Sequence, residues 1–270
     1  MRFEFYKYQG TGNDFIIIDN RQRTFKNDTK LINRLCDRKF GIGADGLILL
    51  QDPDKEGEHF KMLYFNADGN ESSMCGNGAR CAVSFARFLG ITGDQSVFST
   101  SDGRHKAKID VSSGLVHLKM RNVTEITKTN QAYFVDTGSP HHVLFVENLA
   151  DIDVKKEGAE IRNSTIYKDE GVNVNFVEVN KHQDSRPPRG NEISIRTYER
   201  GVEDETLSCG TGVTAAALVS HFAGKTLGEK TLVKTPGGNL LVEFKPDIEE
   251  YYDIWLTGPA EQVFKGEIKC

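Results

Sequence analysis

The stretch CGNGARCAVSFARFLGITG, residues 75–93, returns in outline as CGTGVTAAALVSHFAGKTL, residues 209–227. Sliding the chain against itself by 134 positions places Cys75 on Cys209, and the match runs on without a gap to either side. Between residues 64–103 and 198–237 the identities are Tyr64 with Tyr198, Glu71 with Glu205, Cys75 with Cys209, Gly76 with Gly210, Gly78 with Gly212, Ala82 with Ala216, Phe88 with Phe222, Gly90 with Gly224, Thr92 with Thr226 and Gly103 with Gly237. Chance composition would give about two or three such matches in that span, and solenoid units are only about 20–50 residues long, so the repeat reads as a duplicated domain.

Upstream the correspondence is fainter. Gly12-Asn13-Asp14 can be laid on Gly138-Ser139-Pro140, and Gly41-Ile42-Gly43-Ala44 on Gly171-Val172-Asn173-Val174. The pattern of elements agrees with two halves. Strand-like runs fall at Phe15–Ile18, Leu47–Leu50, Lys61–Phe65, Lys106–Val111 and Leu115–Met120, then at Val143–Val146, Val174–Val179, Glu192–Tyr198, Thr231–Thr235 and Asn239–Phe244. One long helix is expected in each half, Gly76–Leu89 and Gly210–Ala223. The second is apolar nearly all round, which predicts a helix buried on every side. Gly90 and Gly224 stand where a helix C-terminal glycine belongs. The fold class is therefore α/β (α+β), with halves at 1–121 and 130–259 and a C-terminal strand near 260–270 packing back on the first half. The polar stretch Arg121–Gln131 reads as the link, and Lys181–Asn191, containing Arg186 and Arg189, as an exposed hairpin connection.

The chain has 270 residues and a net charge of −5. It carries no long block of Lys or Arg, which argues against nucleic acid or anionic lipid as partner and for a small molecule. There is no signal-peptide pattern and no run of about 18 apolar residues, so the chain reads as soluble, cytoplasmic and without a membrane partner. The five cysteines, Cys36, Cys75, Cys81, Cys209 and Cys270, include no CxxC pair, which speaks against both a disulfide framework and a zinc site. Cys36 and Cys81 read as small buried hydrophobes, and Cys270 as a frayed end.

Cys75 and Cys209 are different, because each opens a Cys-Gly-x-Gly segment at the start of its helix. There the helix dipole and the first N–H groups stabilise a thiolate, and the glycines let backbone approach an anion. A lone CGxG could be a tight turn with an inert thiol. Two copies, placed by duplication on opposite sides of a cleft, suit inversion of a stereocentre: one thiolate removes a proton from one face while one thiol donates to the other. A structural disulfide between the halves is disfavoured in a reducing compartment, and a redox pair would be more closely spaced. No lysine stands in a recognisable pyridoxal phosphate context. Without that electron sink, charge developing on the substrate carboxylate would be met by donors at the two helix N-termini.

Asn66–Cys81, NADGNESSMCGNGARC, and Glu199–Gly212, ERGVEDETLSCGTG, closely resemble the two signature motifs of the diaminopimelate epimerase family. The resemblance extends through Gly10–Phe15, Gly41–Gly46 and Leu256–Ala260, nearly the whole chain. It implies two pseudo-symmetric α/β domains, each a mixed sheet or open barrel wrapped around a central helix, commonly assembled as a homodimer. It also implies epimerisation of LL- to meso-diaminopimelate without pyridoxal phosphate or metal, on the route to lysine and peptidoglycan precursors. Cys75 and Cys209 are then the two bases, Cys75 accepting the proton from the LL isomer. Gly76, Asn77, Gly210 and Thr211 would present backbone donors to the reacting carboxylate. Asn13, Asn66, Asn173 and Arg200 would bind substrate, with Arg200 on the distal carboxylate, and Glu199 and His141 would lie near the reacting amine and the catalytic pair. His142 has no such support, and Asp14, Asp45 and Asp68 read as loop-shaping. Two departures stand out: Ser139 replaces the asparagine of the commoner Gly-Asn-Pro-His, and Glu203-Asp204 lengthens the loop before Cys209. The alternatives are a proline, hydroxyproline or histidine racemase of the same fold, and a non-catalytic amino-acid binding protein.

Overall fold

The computed structural model describes residues 2–72, 74–180 and 191–269. Cys270 and residues 181–190 of the polar loop, Arg186 and Arg189 among them, lie outside these. The chain forms two compact units, Met1–Leu118 with Gly258–Cys270, and Lys119–Thr257.

In the first unit the elements run β1 (Arg2–Gly10), β2 (Asn13–Asp19), α1 (Thr29–Cys36), β3 (Gly46–Gln51), β4 (Phe60–Asn66), β5 (Glu71–Ser72), α2 (Gly76–Phe88), β6 (Gln95–Thr100), β7 (Gly103–Ile109) and β8 (Val116–Lys119). The second unit runs β9 (Ile126–Thr129), β10 (Ala132–Asp136), β11 (Pro140–Phe145), α3 (Val154–Arg162), β12 (Asn173–Val179), β13 (Glu192–Glu199), β14 (Asp204–Thr206), α4 (Gly210–Phe222), β15 (Lys230–Thr235), β16 (Gly238–Pro246) and β17 (Tyr251–Gly258). The last strand, β18 (Glu261–Lys269), returns to pair antiparallel with β1.

The pairings repeat. In the first unit β1–β2 and β3–β4 are antiparallel, β2–β3 parallel, and β4 pairs antiparallel with β5 and parallel with β6. In the second, β10–β11 and β12–β13 are antiparallel, β11–β12 parallel, and β13 pairs antiparallel with β14 and parallel with β15. Each parallel step needs a crossover, supplied by α1 and α3 for β2–β3 and β11–β12 and by α2 and α4 for β4–β6 and β13–β15. β9, paired with β10, lies inside the stretch 121–131 read as a link, so that stretch is part of the second unit's sheet. Its polar sequence hid the strand because three of its four residues are exposed.

Helix α2 touches β1, β2, β3, β4 and β7, and α4 touches β10, β11, β12, β13, β15 and β16, so each sheet is wrapped round one helix. The strands between layers are buried on both faces, which is why β3, GLILLQ, is a continuous apolar run. Side chains alternate as the pleat requires. Leu47 and Leu49 join the cluster under α1 with Ile16, Ile32 and Leu35, while Ile48, Phe15 and Met62 close on Gly78 of α2. On β12, Val174 and Phe176 pack in the cluster that includes Val154 of α3, and Asn175 faces Gly212 of α4.

Both central helices stop as their glycines predict. Gly90 and Gly224 have φ of 71° and 65°, and the next N–H in each case reaches back to a helix carbonyl, Ile91 to Ala86 and Lys225 to Ser220. This is the left-handed closure that glycine adopts without steric cost.

Candidate active site

Cys75 and Cys209 are the N-cap residues of α2 and α4, in extended conformation with φ of −93° and −115°. The cap carbonyls begin the helices by accepting from Ala79 and Val213, while neither thiol caps its own helix. By helix geometry the first N–H groups after each cysteine lack intrahelical acceptors and carry partial positive charge. Gly76, Asn77 and Gly210 are buried there, Thr211 half-buried.

In the first unit the Cys75 thiol donates to Asn13 Oδ1 at 3.5 Å, and Asn77 Nδ2 donates to the same oxygen at 3.4 Å. Asn13 opens β2. Its Nδ2 donates to Asp45 Oδ2 at 2.7 Å, which fixes the amide so that the carbonyl faces the thiol. Asp45 is in turn held by Arg38 at 2.8 Å, and Arg38 and Lys7 both pair with Asp14 at 2.7 Å. Burial alone would raise the Asp14 carboxyl, but the hydrogen bonds from Arg38 and Lys7 hold it well below the usual carboxylate range. Asp45 and Asp14, read above as loop-shaping, are thus the frame that aims Asn13. A carboxylate in an Ala-Asp-Gly loop reads as a turn residue; only the parallel pairing of β2 with β3, Phe15 opposite Gly46, brings it to Asn13. Asn66 lies apart from this cluster's bonding. It is exposed at the end of β4, where its backbone closes the turn to β5 with Asn70 and Gly69.

In the second unit the Cys209 sulfur and Thr211 Oγ1 are 3.5 Å apart, and the Thr211 carbonyl accepts from Thr137 Oγ1 at 2.9 Å. His141 is fully buried on β11. Its Cε1 and the Cys209 Cβ each lie 3.4 Å from the point where a Cβ on Gly212 would stand, so imidazole and thiol flank the same spot. Asn175 Nδ2 donates to His141 Nδ1 at 3.0 Å and to the His142 carbonyl at 3.1 Å, and its Oδ1 accepts from Thr197 at 3.0 Å. Since Nδ1 accepts, the ring proton sits on Nε2, which has no acceptor among the described residues. Burial, with the positive charge of Arg200 adding to it, pulls His141 down to about 3, so the ring is neutral. Asn175 was not among the residues expected from sequence. It sits in a regular β12 alternation that gives no local sign of its role. His142 points the other way, its Nδ1 at 3.1 Å from the Tyr167 hydroxyl.

Asn173 joins the end of β13 to this half: its Oδ1 accepts from the Arg200 N–H at 2.8 Å and its Nδ2 donates to the Pro140 carbonyl at 3.3 Å. The Arg200 side chain is exposed, with one guanidinium N–H on the Glu170 carbonyl at 2.8 Å. Glu199 accepts from Thr206 at 2.9 Å. The longer loop before Cys209 is tied by Glu203, which adopts φ of 58°, accepts from the Gly201 N–H at 3.1 Å and from the Tyr198 hydroxyl at 3.1 Å, and pairs with Arg162. Ser139 contributes its carbonyl to the Thr137 N–H in the β10–β11 turn. Cys36 and Cys81 are buried, and burial pushes both thiols up to about 12, far from a reactive thiolate. Among the described residues no helix is long and apolar enough to cross a membrane, and no group of three or more His, Cys, Asp or Glu is placed to hold a metal ion.

Each unit of this chain carries a cysteine at the N-cap of its central helix, and the fold of paired units, each a sheet wrapped round one helix, is shared by solved structures of distant sequence. A phenazine biosynthesis protein of the PhzF family from Bacillus anthracis matches over 100% of both chains with a TM-score of 0.75 at 15% identity. A hydroxyproline epimerase from Agrobacterium vitis matches over 99% of this chain and 92% of its own, with a TM-score of 0.67 at 13% identity. Sequence narrows the class. The pattern of the diaminopimelate epimerase family matches residues 5–130 and 133–263, and the chain belongs to that family of isomerases. It is 51% identical to the diaminopimelate epimerase of Flavobacterium psychrophilum, over 97% of this chain and 99% of that one, and 43% identical to that of Chlorobaculum tepidum, over 96% and 98%.

Proposed function

We propose that the protein interconverts LL- and meso-diaminopimelate by a two-base reaction that uses no pyridoxal phosphate. In the LL direction the Cys75 thiolate takes the α-proton while the Cys209 thiol delivers its own to the opposite face of the same carbon; the reverse direction exchanges the roles. The observation that carries this reading is the repetition itself: each unit presents a cysteine at the N-cap of its buried helix, at the same place in the same topology. Membership of the family supplies the substrate.

As the α-proton leaves, negative charge grows on the α-carboxylate. N–H groups of Gly76, Asn77, Gly210 and Thr211 are the donors suited to meet it, since helix N-termini are already oriented and need no reorganisation. Asn13, Asn66, Asn173, Glu199 and Arg200 bind the rest of the substrate, the Arg200 guanidinium suiting a distal carboxylate. Neutral His141 supports the second half as an Nε2–H donor. The working form is a cytoplasmic homodimer acting in lysine and peptidoglycan precursor synthesis.

Incubating LL-diaminopimelate with the protein in deuterium oxide, with no added cofactor, tests substrate, reaction and cofactor independence together. The meso isomer should appear with deuterium at the α-carbon. Absence of exchange with this substrate, together with turnover of proline or hydroxyproline, would transfer the reading to the racemases of the same fold; no exchange with any of them would leave a binding protein.

A further inference from the structure

Arg80 lies on α2, five residues beyond Cys75, and is completely buried. Its guanidinium is lodged beneath the Gly10–Asn13 turn. Nη2 donates to Thr11 Oγ1 and Nε to the Pro259 carbonyl, both at 3.2 Å, and Nη1 has no partner among the described residues. A Cβ on Gly10 would stand 3.2 Å from the Asn77 carbonyl, 3.3 Å from Nη2 and 3.4 Å from Cys81 Sγ, so the charge packs beside Cys81 and against Asn77, whose amide shares the Asn13 oxygen with the Cys75 thiol. No carboxylate pairs with Arg80 among the described residues, although a buried, uncompensated charge is strongly disfavoured.

Charged groups on the neighbouring elements have partners of their own. Across Asn13, the cations Lys7 and Arg38 are matched by the anions Asp14 and Asp45. On β4 Lys61 pairs with Asp54, and on β7 His105 Nε2 lies 3.4 Å from Asp102. Cys81 and Tyr8 keep their protons, since burial disfavours the charged form of each and makes both weaker acids. Arg80 interacts electrostatically with Cys81 first and with Cys75 second; with Cys81 protonated, the Cys75 thiol is the ionisable group left to serve as counter-charge. The Asn13 carbonyl opposes this, because it accepts from the protonated thiol. Yet Asn77 already donates to the same oxygen, so loss of the thiol proton leaves it partnered. A weak S–H···O bond does not outweigh a full buried charge.

The second unit lacks this device. The residue five beyond Cys209 is Thr214, whose hydroxyl turns back to the Gly210 carbonyl at 3.0 Å, and the imidazole flanking Cys209 is neutral. We propose that Arg80 is a positioning residue that makes Cys75 the resting thiolate, while Cys209 rests as the thiol, so that the otherwise symmetric pair starts with opposite protonation states. The inference rests on the two-base reading above, but its test needs no substrate.

Alkylation by iodoacetamide, followed at each cysteine by peptide mass spectrometry from pH 5 to 10, reads the two titrations separately. In the wild type the Cys75 midpoint should fall at least about one pH unit below that of Cys209, a tenfold difference in the thiolate equilibrium. R80Q should raise the Cys75 midpoint by about one unit or more and leave Cys209 in place, and R80K should keep Cys75 near its wild-type value. A Cys75 midpoint at or above that of Cys209 in the wild type overturns the proposal, as does an unchanged Cys75 midpoint in R80Q. If R80Q does not fold, the wild-type comparison and R80K decide. Failure of deuterium exchange with normal thiol titrations would count against the function and not against this assignment.

Discussion

His141 carries its proton on Nε2 because Asn175, which also donates to a backbone carbonyl, can only donate to Nδ1. This sets a pH signature. The ring titrates near 6.5 in an unfolded chain and at about 3 when folded, so between those values the unfolded state binds the extra proton. The stability contributed is fully present above about pH 6.5 and drains as pH falls toward 3. Between pH 6.5 and 4.5 that amounts to about 2–3 kcal/mol. Urea unfolding at those two pH values should show the loss in the wild type and a drop smaller by that amount in His141→Gln. Equal drops would mean the imidazole is not buried neutral. At this scale the sequence pointed to Cys75, Cys209, Asn13 and His141, because motif positions are local. It did not point to Asp45, Asn175 or Arg80 as the residues that aim them, since those bonds exist only after strands from distant positions pair.

The central helices were the most legible elements, each an apolar run bracketed by Cys-Gly-x-Gly and a closing glycine. α1 and α3 were not anticipated. Each spans at most nine residues, too short for periodicity to show, and α3 carries Gly158 inside, which counts against a helix by propensity. The packing explains that glycine: a Cβ there would lie 2.4 Å from the Tyr198 Cβ. Glycines of the two kinds should respond differently to alanine. Gly224 has φ of +65° and nothing within 4 Å of an added Cβ, so Gly224→Ala should lose about 1–2 kcal/mol in urea unfolding and keep its turnover. At Gly212 the added methyl would meet Asn175 Oδ1 at 2.4 Å. Gly212→Ala must displace the amide that orients His141, and its epimerisation rate should fall at least about tenfold, a loss of about 1.4 kcal/mol in transition-state stabilisation. Normal turnover in Gly212→Ala would separate His141 from the reaction.

Across the whole molecule the first unit is built from two separate pieces of chain. β18 runs along β1 from Arg2 opposite Lys269 to Gln9 opposite Glu261, and Phe264 and Gly266 both pack on Phe5. Its own sequence, largely exposed and without regular alternation, specifies little by itself; the partner strand sets its register. A chain ending after Ala260 should leave β1 with a bare edge. Hydrogen exchange should then show lost protection in β1, β2 and α2 with β11–β13 unchanged. Full protection of β1 in the truncated chain would show that the first unit closes without β18.

The return of β18 also orders events in time. A ribosome emits the opening strands, then all of Lys119–Thr257, and only afterwards the strand that flanks β1. At 5–20 residues per second that delay is roughly 7–28 s, whereas hairpins form in about 1–10 μs. The second unit can therefore be finished while the first still waits, its leading edge open to any passing strand. The Pro259 carbonyl that receives Arg80 arrives in the same late piece. A nascent chain thus has its Cys209 environment assembled early and its Cys75 environment last, and translation that stalls in the second unit yields a product unable to complete the Arg80 site.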